Sequence, residues 1–206
     1  MKLKTCIIIG AGEFSRIHPS FVADYVIGAD ACPVPVDLLI GDFDTLKNIP
    51  DDIEIIQFPK EKDASDLELA VEEAISRGFD CFYIYGALGG RLDHTLASIA
   101  VLTSISRKGL TGWLISENEV VTAVTNGQLI INHVPLNKGY ALDTPPQYLS
   151  IFPIGGKARG VTLTGLKYET DNAVLSCDNS LGLSNEFVSK EAIIDVKNGT
   201  LIVVMT

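Results

Sequence analysis

No apolar run in this sequence reaches the length of about 18 residues that a membrane-spanning helix needs. No membrane partner or span is expected. The opening residues Met1 to Thr5 lead only into the short apolar stretch Cys6 to Ile9, too short for a signal-peptide core. Cysteine is scarce and scattered: Cys6, Cys32, Cys81 and Cys177 form no C-x-x-C pair, and three of them lie in or beside apolar runs. That pattern fits buried free thiols and a reducing, cytoplasmic location. Basic residues are in deficit. With 16 Lys and Arg against 26 Asp and Glu the net charge is −10, which repels nucleic acid and anionic membranes. A polyphosphate substrate stays compatible, held mostly through a bridging metal and a few local basic groups. The P-loop pattern G-x-x-x-x-G-K-[ST] is missing, as are internal repeats and low-complexity tracts.

The chain is 206 residues long and 47% hydrophobic, enough for one large domain or two small ones with a real core. Cys6–Ile9, Tyr25–Gly28, Asp37–Ile40 and Ile53–Phe58 read as short strands. After Ser65 the period changes. Leu67, Ala70, Val71, Ala74 and Ile75 fall on one helical face, Ser65 with Glu68 forms a capping box, and Gly78 is a stop signal. Cys81–Tyr85 reads as a strand, Gly86–Gly90 as a loop, Asp93 to Arg107 as a helix closed by Gly109, and Trp113–Ser116 as a strand. Apolar strands alternating with helices imply a three-layer α/β/α domain with a mostly parallel sheet over residues 1–116. From residue 117 to 206 the helical period disappears. Val120–Val124, Gln128–Val134, Tyr148–Phe152, Val161–Leu163, Val174–Ser176 and Leu201–Met205 are short β-rich runs punctuated by Gly, Pro, Asn and Asp, the pattern of an all-β sandwich.

Three motifs in the first domain end an apolar strand in a polar or glycine-rich turn that bears aspartate. In open parallel sheets, ligands bind beyond the carboxyl ends of the strands, so all three are expected at that edge. In Gly41-Asp42-Phe43-Asp44-Thr45 two aspartates stand two positions apart. In extended backbone both side chains face one way, and such paired hard oxygen ligands suit Mg²⁺; the other reading is a turn whose aspartates bond their own backbone. In Lys60-Glu61-Lys62-Asp63-Ala64-Ser65-Asp66-Leu67-Glu68 the acids complement a helix start, which leaves the clustering of Lys60 and Lys62 unexplained and makes Asp63 and Asp66 candidates for function. In Gly86-Ala87-Leu88-Gly89-Gly90-Arg91-Leu92-Asp93-His94 the glycines let backbone N–H groups approach an anion, and Arg91 is a forked phosphate donor. The bland alternative makes Asp93 an N-cap and leaves His94 on the helix surface. Gly10-x-Gly12 after the first strand looks like the start of a dinucleotide fingerprint, but Ser15 replaces the third glycine and Asp30 is the lone candidate for a ribose. That reading is set aside.

In this order the three motifs resemble the motif set of thiamine pyrophosphokinases, and Gly165-Leu166-Lys167-Tyr168 and Leu183-Ser184-Asn185-Glu186 resemble that family's thiamine-side motifs. The resemblance covers about residues 28 to 187. It implies an α/β catalytic domain and a C-terminal β-sandwich, a homodimer with thiamine bound between subunits, and transfer of a pyrophosphoryl group from ATP to the thiamine hydroxyl, giving thiamine diphosphate and AMP. By position, it implies that Asp42 and Asp44 bind metal, with the neighbouring acidic motif of Asp63 and Asp66 beside them and Asp66 sharing the metal. The nucleotide site is expected to hold Asp30, Lys60, Lys62, Asp63, Ser65, Gly89, Gly90, Arg91 and Asp93, of which Gly89, Gly90, Arg91 and Asp93 match the family's nucleotide loop. Tyr168 stands where the family often has tryptophan and would stack on the thiamine pyrimidine, and Ser184 and Asn185 match a thiamine-contacting segment. The chain departs from the pattern at Ala31-Cys32-Pro33, where the family usually shows glycines, and at Ser65, where threonine is common.

These residues fit the chemistry. Attack on the β-phosphorus needs the triphosphate held in line and its charge neutralised, by Mg²⁺ at Asp42 and Asp44, by Arg91 and by Lys60 or Lys62. Asp66 is the candidate to orient or deprotonate the hydroxyl. Competing readings are a Mg²⁺-dependent kinase of another small alcohol, a non-catalytic nucleotide- or thiamine-binding module, and a structural dimer whose Asp-rich turns are caps.

Overall fold

The computed structural model describes residues 3–14, 16–17, 22–30, 32, 34–43, 53–61, 63–132 and 146–206. The chain divides into two compact units, Met1–Val101 with Leu114–Ser116, and Leu102–Trp113 with Glu117–Thr206. The α/β architecture of the N-terminal part and the β-rich C-terminal part match the expected fold class.

In the first unit the strands are β1 (Thr5–Ile9), β2 (Tyr25–Ala29), β3 (Leu38–Gly41), β4 (Glu54–Gln57) and β5 (Cys81–Tyr85), in the order β5-β1-β2-β3-β4. Every pairing is parallel, with Ile9 opposite both Gly28 and Tyr85. Cys6 to Ile9 are buried on both faces, as a covered parallel sheet demands. The order has a physical consequence. From β1 the chain moves outward through β2, β3 and β4, then returns to β5 on the other side of β1. That reversal is a topological switch point, the position beyond the carboxyl ends of the strands where open α/β sheets bind ligands.

Helix α1 (Asp66–Ser76) packs Ala70, Val71 and Ala74 into the core against β1, β2 and β3. Its start is the expected cap: Ser65 is extended and its hydroxyl accepts from the Glu68 N–H at 3.2 Å. Its end is the expected glycine stop. Gly78 has φ 82 and donates to the Ile75 carbonyl, and Phe79 donates to Ala74, the paired bonds of a Schellman motif. Helix α2 spans Leu92–Arg107, starting one residue before the expected Asp93.

The second unit is built on two long strands. β6 (Thr111–Ile115) lies at the division. β7 (Val120–Thr125), β8 (Gln128–Asn132), β9 (Tyr148–Thr164), β10 (Thr170–Leu175), β11 (Asn185–Glu186) and β12 (Glu191–Met205) follow. Two expected runs, Tyr148–Phe152 and Val161–Leu163, are parts of β9, and the single run Leu201–Met205 is the end of β12. The punctuating Pro153, Gly155 and Gly156 do not turn the chain. β12 pairs β8 with its first half, β7 with its second and β9 along both, and its register shifts between Asn198 and Thr200. Gly199, at φ 114, sits in that shift, and such a bulge lets one strand bend between partners. Leu149, Ile151, Val161, Ile194, Leu201 and Val203 fill this unit's core.

All four cysteines are free: Cys6 and Cys81 are buried, Cys32 is half-buried and Cys177 is exposed. Burial pushes the Cys6 thiol up to about 12. Among the described residues no helix is long and apolar enough to cross a membrane.

Candidate active site

A cavity of about 1240 Å³ opens in the first unit, lined by the loops that leave β1, β2, β3 and β5 and by the starts of α1 and α2. It exceeds the ~300–1,000 Å³ of ordinary small-molecule pockets, so it has room for a nucleotide and a second substrate. All three aspartate motifs reach it. Asp42 comes from the first, Lys60, Ser65 and Asp66 from the second, and Gly89, Gly90 and Arg91 from the third; Asp30 lines it as well. Asp63 and Asp93 are exposed and do not line it. Asp44 and Lys62 lie outside the described residues.

The Asp42 motif is not the extended pair that alternation implies. β3 ends at Gly41, and Phe43 has φ 57, a left-handed conformation, with its ring only 6% exposed. With that ring buried, the chain turns immediately after Asp42. The turn is tied to β4 by Phe58 N–H donating to the Gly41 carbonyl and Gln57 Nε2 donating to the Asp42 carbonyl, at 3.0 and 3.2 Å. Asp30 also has positive φ, 61, and its N–H donates to the Ile40 carbonyl at 2.7 Å. A Cβ on Gly41 would stand 3.1 Å from the Asp30 Cα, so glycine is what lets the ends of β2 and β3 close together.

Sequence reasoning set Gly10-x-Gly12 aside, and the structure gives it work. Gly10 and Gly12 N–H groups donate to the carbonyls of Tyr85 and Gly86 at 2.8 and 3.0 Å. A Cβ on Gly12 would lie 2.4 Å from the Gly86 carbonyl oxygen. The pair therefore locks the β1 loop against the β5 loop at the switch point, and Phe14 packs edge-on against Tyr85. Glu13 joins the wall beside Gly89. The missed signal was present as two glycines after a first strand; its partner, far along the chain, was not readable.

Arg91 occupies the N-cap position of α2, its carbonyl accepting from the Thr95 N–H. Asp93 is therefore not the N-cap but lies in the first turn. Its carboxylate grips the guanidinium through Arg91 Nε at 3.1 Å and Nη2 at 2.6 Å. This ion pair holds the Asp93 carboxyl below its ordinary range and raises Arg91. His94 and Ser98, one turn apart, also line the cavity.

On the second unit, Tyr168 is 62% exposed and Asn185 is buried. Ser184 is exposed, with φ 53, and its N–H donates to the Ser150 hydroxyl at 2.9 Å. Tyr148, Leu181, Leu183 and Val188 are exposed as well.

Among the described residues no three His, Cys, Asp or Glu stand close enough together to hold a metal ion. Mg²⁺ does not require three, because it takes one or two protein carboxylates and completes its shell with water and substrate phosphates. Asp42 and Asp66, hard oxygen donors that both line this cavity, fit that demand.

Residues 16–114 match the family model described as "Thiamin pyrophosphokinase, catalytic domain". Residues 133–201 match "Thiamin pyrophosphokinase, vitamin B1 binding domain". The thiamine pyrophosphokinase of Bacillus subtilis (strain 168) is 28% identical over 181 residues, covering 85% of this chain and 80% of the relative. The crystal structure of thiamine pyrophosphokinase from Bacillus subtilis superposes with a TM-score of 0.82 at 24% identity, covering 98% of each chain. That from Geobacillus thermodenitrificans gives 0.80 at 23% identity, covering 98% of this chain and 97% of the other. The first model spans Asp30 to Asp93 and the second spans Tyr168 to Asn185, whereas Gly10 and Gly12 precede both.

Proposed function

The chain belongs to the thiamin pyrophosphokinase family, and from that premise we propose that it carries out a Mg²⁺-dependent transfer of the pyrophosphoryl group of ATP to the hydroxyl of thiamine. The observation that carries the site assignment is the convergence of Asp42, Asp66, Lys60 and the Gly86–Arg91 loop on one cavity at the switch point of the parallel sheet.

The thiamine hydroxyl oxygen attacks the β-phosphorus, a new O–P bond forms, and the bond from the β-phosphorus to the oxygen bridging it to the α-phosphorus breaks. AMP leaves with that bridging oxygen, and the hydroxyl proton passes to a base. Asp42 and Asp66, with Asp44, are the residues that would hold Mg²⁺, which when bound neutralises polyphosphate charge. The backbone N–H groups of the Gly86–Gly90 loop and the start of α2 face the same phosphates. Arg91, pre-oriented by Asp93, and Lys60 supply the remaining positive charge in a protein of net charge −10. Asp66 orients the attacking hydroxyl and takes its proton. On the second unit, the Tyr168 ring stacks on the pyrimidine, with Ser184 alongside. A homodimer that takes thiamine between its subunits, in the cytoplasm, belongs to the same proposal, and the exposed Tyr168, Leu181 and Leu183 support a covered face there.

Incubation with ATP, Mg²⁺ and thiamine tests the reaction. AMP and thiamine diphosphate in equal amounts are expected, and both cease when Mg²⁺ is chelated. ADP in place of AMP would mean ordinary phosphoryl transfer, and binding without turnover would mean a sensor module. Light scattering at assay concentration tests the dimer.

A further inference from the structure

The β11 strand holds a buried side chain that is engaged almost entirely with one neighbouring backbone. Asn185 is 4% exposed. Its carboxamide oxygen accepts from the Tyr168 N–H at 2.9 Å and from the Glu186 N–H at 3.0 Å, and its nitrogen donates to the Tyr168 carbonyl at 2.8 Å. Both lone pairs of the oxygen are occupied and one N–H of the nitrogen is used, leaving a single donor. The side chain thereby reproduces on Tyr168 the two-way exchange that a hydrogen-bonded strand partner supplies. The ring this backbone carries stays out in solvent. Beside it, Lys167 Nζ lies 5.6 Å from the ring centroid, within cation–π range, and is itself held by Glu186 Oε1 at 2.7 Å. The Lys167 N–H donates to the Glu186 carbonyl at 2.9 Å, which ties the same two segments again.

An aromatic platform needs two things: a free face and a fixed backbone. Tyr168 has both, and Asn185 supplies the second. Fixing the ring before the ligand arrives removes ordering cost from the binding step.

We propose that Asn185 is a positioning residue. It acts on the substrate only through Tyr168, by locking that ring as a preset stacking platform for the flat heteroaromatic part of the substrate, while Lys167, tied to Glu186, flanks the ring. The proposal rests on thiamine being the substrate, and it departs from a direct Asn185–thiamine contact.

A double-mutant cycle on the full-length protein tests it. Asn185→Ala is expected to raise the thiamine KM about tenfold, the worth of one or two buried hydrogen bonds, with kcat and the ATP KM within about twofold. Tyr168→Ala is expected to raise it at least as much, and the double variant to be no worse than Tyr168→Ala within about twofold, because the shared route is already gone. Multiplying penalties would mean direct contact and overturn the proposal, as would equal losses in thiamine KM, ATP KM and kcat. Should Asn185→Ala not fold, Lys167→Met takes its place: a two- to threefold rise in thiamine KM that disappears on the Tyr168→Ala background supports the proposal, and no change overturns it. Amide exchange at Tyr168 in the substrate-free protein is independent of the functional reading. Asn185→Ala is expected to speed it at least about tenfold, and unchanged exchange overturns the proposal whatever the substrate.

Discussion

At the starting edge of the parallel sheet, Asp24 Oδ2 accepts from the Thr5 N–H at 2.9 Å and Asp37 Oδ2 from the Val26 N–H at 2.8 Å. Nearby, Arg77 is pinned by Glu54 through two bonds of 2.6 and 2.9 Å, by Glu73 at 2.7 Å and by the Tyr25 hydroxyl at 2.8 Å. At the finishing edge of the same sheet, Glu13, Asp30, Asp42 and Asp66 line a large cavity together with Lys60 and Arg91. Both edges are acidic, and both follow or precede apolar strands. The difference lies in what the carboxylates face. At the start they face backbone N–H groups and one arginine, so their charge is compensated locally and α1, β2 and β4 are bound together. At the finish they line one cavity together with glycine loops, Lys60 and Arg91. A strand flanked by aspartate is therefore not a site signal by itself; a shared cavity separates a candidate ligand from a cap.

The largest expected effect breaks that comparison at a single pair. Asp66→Asn should lower the rate of AMP release about 10³-fold, ~4 kcal/mol of transition-state stabilisation, while the unfolding midpoint barely moves, since a first-turn acid contributes less than ~1 kcal/mol to its helix. Asp37→Asn at the opposite edge should do the reverse: turnover within about twofold, and a modest loss of stability. A turnover loss at Asp37 matching that at Asp66 would show that the two edges are not separate in function.

The second effect tests whether the glycine loops are the cavity's frame. Gly86 has φ 65, and a Cβ there would meet the Gly10 carbonyl oxygen at 2.6 Å. Gly86→Ala should cost about 2–3 kcal/mol in urea unfolding, from left-handed strain and overpacking together, and should raise the ATP KM. Gly90→Ala has φ 62 but open space around it, so it should show the strain without the clash, about half the cost. Equal losses would mean that the close approach of the two loops is unimportant.

How much of this was readable follows from sequence distance. The Ser65–Glu68 cap and the Gly78 stop were legible because every bond in them closes within one or two turns of chain. The convergence of the three motifs was legible because parallel strands force their carboxyl ends to one edge. The Asp24 and Asp37 bonds span 19 and 11 residues, and the Asn185 clamp spans 17, so no local pattern announced them. The left-handed conformation of Phe43 is hidden for a related reason. Alternation assumes the strand continues, and what ends it is the burial of one ring in a core the sequence does not draw. The long strands β9 and β12 are hidden for the opposite reason: glycine and proline punctuate them as turns would, yet here they mark bulges.

The third effect isolates the starting edge. Arg77→Met keeps most of the side chain's length and loses its hydrogen bonds to Glu54, Glu73 and Tyr25 together with its position 5.4 Å from the Tyr25 ring. In this partly exposed setting the loss should be about 1–2 kcal/mol in urea unfolding, with KM for ATP and thiamine unchanged. A shift in either KM would show that the packing of α1 on the sheet transmits to its Ser65–Asp66 end.

The smallest effect compares two arginine–carboxylate pairs, one at each edge. The Glu54 carboxyl is held below its ordinary range chiefly by its hydrogen bond to Arg77, and the Asp93 carboxyl chiefly by its hydrogen bond to Arg91. Both depressed carboxyls contribute stability that is present above their ordinary range and lost as the pH falls through the lowered values; exposed to solvent, both contributions are small. Their response to ATP should differ. If Arg91 turns its fork to phosphate, Asp93 loses its partner and its titration midpoint rises toward the ordinary range, while Glu54, still bound to Arg77 at the far edge, titrates as before. Carboxyl carbon shifts followed by NMR through the acid range, with and without ATP, read both groups in one sample. Movement of both would mean that nucleotide reorganises the whole sheet. Movement of neither would mean that Arg91 keeps Asp93 throughout, leaving Lys60 and the glycine-loop amides to carry the phosphate charge that the protein itself must meet.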